Sequence, residues 1–327
     1  MILGNNVGSV YNEGRDIQKV YSHGKLVWEK QIEDIDYSTI PFTVKAIDND
    51  VEISAKASDG SLIVLKYLIN DGAYQYGETI NIKRNDRVII KIELDYGIRF
   101  SIKGLSDIYG NIMSLMYGDY FANKTFWKFL FQDGYGLFQN CDIRHAKNLI
   151  LPSSTMQPYG CWGMFYKCKN LLSAPELPAT TLATRCYSAM FYGCSKLRKA
   201  PELPATSLKV GCYQAMFYGC SSLTTTPKLP AKYLADECYL GMFIECYSLT
   251  TSPELPATTL AEGCYDGMFR YCNKLNYIKC YAKYNLKYIS SKWTEGVSPT
   301  GILVCEEEAA STLKSTIPEG WSIEYIT

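Results

Sequence analysis

One sentence of sequence is written five times between Cys161 and Cys272. The pair Met-Phe recurs at Met164-Phe165, Met190-Phe191, Met216-Phe217, Met242-Phe243 and Met268-Phe269, always 26 residues on. The same step carries Cys168, Cys194, Cys220, Cys246 and Cys272, and then Leu171, Leu197, Leu223, Leu249 and Leu275. A Pro-x-Leu-Pro unit at 175–178, 201–204, 227–230 and 253–256 separates the copies. A fixed period of about 20–50 residues means supersecondary units that bury their apolar faces only against their neighbours. The repeat therefore constrains the fold before any other observation. It says less about activity, because such scaffolds present surfaces.

Within a unit, Leu249 to Leu255 is short, rich in β-branched residues and stopped by Pro256, and reads as an extended edge. Pro253 cannot donate to a ladder, so that edge should be only partly hydrogen-bonded. Ala257 to Phe269 has helical spacing, with Leu260, Cys264 and Met268 at i, i+4 and i+8, and Thr258 or Thr259 able to cap its start. The unit is thus expected to be α+β. Stacked units should lie about 4.8 Å apart.

Thirteen cysteines invite chemistry. Two columns repeat: Cys186, Cys212, Cys238 and Cys264, and the column from Cys168 to Cys272. Zinc needs pairs two to four apart with further thiols or histidines. Here the pairs are eight apart and the chain has only His23 and His145. Free thiols stacked as small buried hydrophobes are the expectation, with no metal and no cofactor.

Strand alternation turns the residues flanking each strand proline outward: Ala174 and Glu176, Ala200 and Glu202, Thr226 and Lys228, Ser252 and Glu254. Beside the inner cysteines runs a tyrosine column, Tyr187, Tyr213, Tyr239 and Tyr265. Tyrosines there either cover the seams between units or stud a ligand face, tyrosine being a common contact residue. Glu176, Glu202, Lys228, Glu254 and these four tyrosines are the candidate ligand contacts.

The rest of the chain divides around the repeats. Residues 1–30 hold a ten-residue repeat of their own, with Gly4, Gly14 and Gly24, then Val7, Ile17 and Val27. It suits a small antiparallel meander, either an edge of the next domain or an anchoring module, with Val10, Tyr11, Val20, Tyr21 and Trp28 as assembly candidates. Residues 31–40 are an acidic linker. Residues 41–104 show about six short strands with turns every 8–12 residues, a β-sandwich pattern, and Asn70-Asp71-Gly72 has the chemistry of a positive-φ turn. Asp48-Asn49-Asp50 lacks full calcium-loop spacing and reads as a solvated turn. Residues 105–150 are a transition in which Gly136 to Cys141 echoes the repeat, residues 151–280 the repeat array, and 281–327 a closing cap.

Lys+Arg and Asp+Glu are both 33, which gives no electrostatic case for nucleic acid or an anionic membrane. No apolar run is long enough to span a bilayer, and the start lacks a secretory signal pattern. No Gly-x-Ser-x-Gly, phosphate loop, His-Glu-x-x-His or dinucleotide fingerprint occurs, and histidine-based acid–base work has little to draw on. Carboxylates such as Glu176 and Glu202 on an open surface are poorly placed for the pKa shifts that glycoside hydrolysis needs. A non-enzyme with no catalytic residues is expected.

Two resemblances follow. The opening Gly4-Asn5-Asn6, Val10-Tyr11, Ile17-Gln18-Lys19-Val20-Tyr21 and Gly24-Lys25-Leu26-Val27-Trp28-Glu29 resembles the start of many tailed-phage virion proteins. Ala146 to Pro152, the repeated Pro-Glu-Leu-Pro-Ala-Thr-x-Leu, Cys-Tyr-x-x-Met-Phe-Tyr-x-Cys, and the closing Trp293, Gly296-Val297, Pro299-Thr300-Gly301 and Ile317 to Trp321 resemble BspA-like leucine-rich repeats. Those occur on gut anaerobes and in the phages that infect them, crAss-like phages among them. The resemblance implies a leucine-rich-repeat solenoid behind an N-terminal β-domain, and a role in adhesion. Two functions stay open: a phage virion fibre or appendage used for host attachment, or a bacterial surface adhesin. An adhesin must cross a membrane, and without a signal the virion is favoured. The expected partners are other virion proteins through residues 1–30, further copies in a homo-oligomer, and a host glycan or protein.

Overall fold

A computed structural model describes residues 19–22, 25–29, 36–92, 97–117, 120–121, 136–151 and 155–326. It is rich in β-structure, with several sheets and few helices. Two compact units divide it at Asp36.

In the first unit, β1 (Lys19–Ser22) pairs antiparallel with β2 (Lys25–Glu29). Val20 lies opposite Trp28 and Tyr21 opposite Leu26, with an irregularity between the two pairs. Val10 and Tyr11 lie outside the described residues.

The second unit opens with two sheets. One strand set is β3 (Thr43–Ala46), β5 (Leu65–Ile69), β6 (Gln75–Gly77), β8 (Arg87–Lys91), β10 (Ser106–Asn111), β11 (Ile143–His145) and β12 (Leu149–Ile150). They run in the order β11-β10-β3-β8-β5-β6, with β12 also paired to β10. The other sheet is β7-β4-β9, built from β4 (Val51–Ala57), β7 (Thr79–Ile82) and β9 (Ile98–Lys103). Alternate residues of β7 and β8 point inward, as the period of a half-buried strand requires. The turn after β5 has φ of 49° at Asn70 and 60° at Asp71, the left-handed geometry that asparagine and aspartate tolerate. Asp48 accepts a hydrogen bond from the Leu105 amide (2.8 Å) and Asp50 pairs with Lys83, so this turn spends its carboxylates on the protein.

The two sheets meet through Phe42 and Phe100, whose ring centroids are 5.7 Å apart, and both contact Phe138. Phe138 continues the stack to Phe165 at 5.6 Å, then Phe191, Phe217, Phe243 and Phe269 at 5.6–5.9 Å. Trp293, fully buried, closes the column 6.2 Å beyond Phe269. One aromatic column therefore runs from the β-sheets through every repeat to the end cap. Each fully buried ring contributes about 1.5–3 kcal/mol from burial alone.

The helical expectation for the repeats fails. The described helices are only α1 (Ser114–Tyr117), α2 (Ala310–Lys314) and short 3-10 turns, none of them inside a repeat. Residues 211–220 show what replaces them. Amides of Cys212, Gln214, Met216 and Tyr218 donate to carbonyls three residues back, at 3.1–3.2 Å. The alternate amides, Gly211, Tyr213, Ala215, Phe217 and Gly219, donate to Asp236, Cys238, Leu240, Met242 and Ile244 in the next repeat, at 2.8–3.0 Å. Every fourth residue has positive φ: Gly211 (59°), Ala215 (50°) and Gly219 (70°), and likewise Glu237, Gly241 and Glu245 one repeat on. The result is a run of tight turns that shares half its amides with its neighbour. Such a segment cannot stand alone as a helix does, because half its donors would be unpaired.

The opposite, proline-bearing edge is held by isolated parallel bridges, Thr181 to Ser207 to Tyr233 to Thr259 to Tyr284, as the missing proline donors require. A continuous parallel sheet forms only at the last repeat: β13 (Thr251–Leu255), β14 (Tyr277–Cys280), β15 (Thr300–Cys305) and β16 (Gly320–Tyr325). Gly136 marks the junction with the repeats. A Cβ there would lie 1.6 Å from the Gly163 carbonyl oxygen, so no other residue fits.

All thirteen cysteines are free and buried. The thiols of Cys168, Cys194, Cys220, Cys246 and Cys272 donate to the carbonyls of Phe138, Phe165, Phe191, Phe217 and Phe243 at 2.9–3.2 Å. Each thiol therefore ties one repeat to the aromatic column of the previous one. Burial pushes the Cys141, Cys186, Cys212, Cys264, Cys272 and Cys280 thiols up to about 12.

Candidate functional site: the proline-edge face

The four charged candidates on the proline edge, Glu176, Glu202, Lys228 and Glu254, are all exposed. Each stands between two inward residues, Pro175 and Leu177 in the first case, so the proline and leucine of Pro-x-Leu-Pro anchor the edge while the middle residue reaches solvent. Their partners at the preceding odd place are corrected. Ala200 and Ser252 are buried, Ala174 and Thr226 half-buried. Proline at the next position breaks the strict alternation assumed for a regular strand.

A groove of about 710 Å³ opens on this face, lined by Lys147, Asn148, Leu172, Glu176, Lys199 and Glu202 among others. Leu172 is 42% exposed within it. Further along, Glu254 pairs with Lys279 at 3.1 Å. The Tyr281 hydroxyl and then the Glu254 carboxylate hold the Lys279 ammonium above its ordinary range. The face thus offers carboxylates and ammonium groups at the repeat spacing, with proline and leucine between them. At the array's first edge Arg144 grips Asp107 through two hydrogen bonds of 3.0 and 2.7 Å, and His145 Nδ1 lies 2.9 Å from Ser173 Oγ.

The tyrosine column is also corrected as a contact surface. Tyr187, Tyr213, Tyr239 and Tyr265 are each 1% exposed. Their rings stack at 5.9–6.2 Å, nearly parallel. In a tight-turn run, consecutive side chains such as Cys186 and Tyr187 can both face inward, which neither strand nor helix spacing anticipates. The hydroxyls of Tyr187 and Tyr213 are buried without a partner. Burial holds the phenols of Tyr187, Tyr239 and Tyr265 well above their ordinary value.

Another tyrosine column lies nearer the surface: Tyr166, Tyr192 and Tyr218, half-buried, with rings 4.6 and 4.4 Å apart. The 26-residue step marks these residues plainly, directly after each Met-Phe pair, yet the sequence reading passed over them. Among the described residues, no group of three His, Cys, Asp or Glu side chains could hold a metal ion. No described helix is long and apolar enough to cross a membrane. No protein-family description, curated protein or solved structure matches the chain.

Proposed function

We propose that the chain is a structural virion protein of a tailed phage, a head or tail fibre or appendage, whose leucine-rich-repeat solenoid meets the host surface. The observation that carries this reading is the stack itself. One aromatic column and a shared amide ladder lock successive repeats together, and a rigid array of that kind holds exposed side chains at fixed spacing. Glu176, Glu202, Lys228 and Glu254 are such a row, and side chains fixed in advance lose little freedom when a partner docks. The separate compactness of residues 1–36 supports an anchoring role for that segment, and the sequence resemblances support the virion setting. The chain acts by binding rather than by catalysis, and as a homo-oligomer, since fibres close by symmetry.

The test is to purify particles from a producing culture and probe them with an antibody to the repeat array. The proposal expects label on the outside of intact particles. Label confined to the host cell envelope would favour a bacterial surface adhesin instead.

A further inference from the structure

A groove of about 490 Å³ lies on the turn side of the first repeats, away from the proline edge. Its making follows from the turn geometry. Residues at the middle positive-φ place must be small, and Ala189 and Ala215 form the floor. One wall is the surface tyrosine column, Tyr166 and Tyr192; the other is the column of Trp162, Ser188 and Gln214. The fourth repeat closes it. Its wall residues are Leu240 and Ile244, and Ile244 Cδ1 sits 3.0 Å from where a Cβ of Gly241 would stand. The groove is therefore a property of the early repeats only.

Its chemistry is specific. Gln139 Oε1 and Gln214 Oε1 are buried and have no hydrogen-bond partner, and both residues line the groove. Buried acceptors left unpaired favour a ligand that brings donors. The tyrosine rings cover one another's faces, so they offer the groove their edges, which carry the positive end of the ring quadrupole and favour ligand oxygen atoms. The nearby charges are occupied. Arg185 pairs with Glu237 at 2.9 Å, and Lys167 lies over the Tyr166 ring at 5.2 Å. A ligand that both donates and accepts at many points, carries no net charge and lies along a shallow channel is a hydroxyl-rich chain.

We propose that this groove binds a neutral oligosaccharide. The proposal goes beyond host attachment by a virion, because it assigns a sugar site whether or not the chain is carried on a particle.

The experiment uses the full chain and saturation-transfer NMR with maltohexaose, cellohexaose and mannohexaose as probes. At least one should show transfer. Gln214→Leu and Tyr192→Ile replace groove walls with the residues that the fourth repeat already carries at those places, so both should keep the parent melting temperature. Each should weaken the bound sugar about tenfold, the scale of one hydrogen bond lost from a buried acceptor. Trp162→Ser, which installs the residue found one repeat later, is a further wall variant with the same expectation. Absence of transfer from all three sugars overturns the proposal. So does equal sugar binding by folded variants, or binding of an uncharged peptide in this groove in place of sugar.

Discussion

Exchanging alanine and glycine within the turn ladder separates it from a helix by the sign of the effect. Ala215 sits at φ 50°. A side chain held there costs about 1–2 kcal/mol relative to glycine. Glycine returns about 0.5–1 kcal/mol of that through its greater freedom in the unfolded chain. Ala215→Gly should therefore stabilise the protein by about 0.5–1 kcal/mol. Gly241, at φ 61°, is the reciprocal case. Gly241→Ala should cost a similar amount, and more if Ile244 Cδ1, 3.0 Å from the new Cβ, cannot move aside. In an α-helix both signs reverse, because alanine is favoured over glycine there by about 1 kcal/mol. Urea unfolding followed by circular dichroism reads the difference. With a slope of about 1–3 kcal/mol per molar urea, the midpoints should move by a few tenths molar, up for Ala215→Gly and down for Gly241→Ala. The opposite pair of shifts would refute the turn ladder.

Removing the buried Tyr213 hydroxyl should be harmless: Tyr213→Phe loses no hydrogen bond, lifts a desolvation cost of about 1–3 kcal/mol, and should raise the urea midpoint. A fall in that midpoint would mean that the hydroxyl is partnered. The thiol columns predict alkaline unfolding. Cys141, Cys186, Cys212, Cys264, Cys272 and Cys280 are held up to about 12 by burial, against an ordinary value of 9.0. The unfolded chain therefore loses these protons first, so the stability is fully present below pH about 9 and is withdrawn as pH climbs toward 12. Each thiol withdraws about 1.4 kcal/mol per pH unit across that window, and six together rival the whole stability of a typical domain within one unit. Circular dichroism against pH should show cooperative loss near pH 10; an unchanged spectrum at pH 11.5 would contradict it.

The period was fully legible in the sequence, and with it the phenylalanine, leucine and cysteine columns, because identical spacing leaves stacking as the one way to bury them together. The outward glutamates and lysine followed from the same step. The helix was misread for an identifiable reason. A turn ladder with a left-handed residue every fourth place brings Leu260, Cys264 and Met268 to one side, as a helix would. Gly263 and Gly267, four apart inside that segment, were the contrary signal, since a helix interior gains nothing from two glycines. The same mistake sent Tyr187 and its copies to the surface. The sugar groove was hidden for another reason. It depends on small residues at Ala189 and Ala215 meeting polar ones at Gln139 and Gln214, a coincidence of three columns that only the stacking register brings together. The extent of the aromatic column was equally concealed, because Phe42 and Phe100 belong to sheets with no repeat of their own.

Electron cryo-microscopy of an intact particle that carries the chain tests the central claim most directly. The account predicts the repeat array projecting from the particle, with the β1–β2 segment seated against neighbouring virion chains. Residues 19–29 free in solvent around such a particle, or a repeat array enclosed within it, would contradict it.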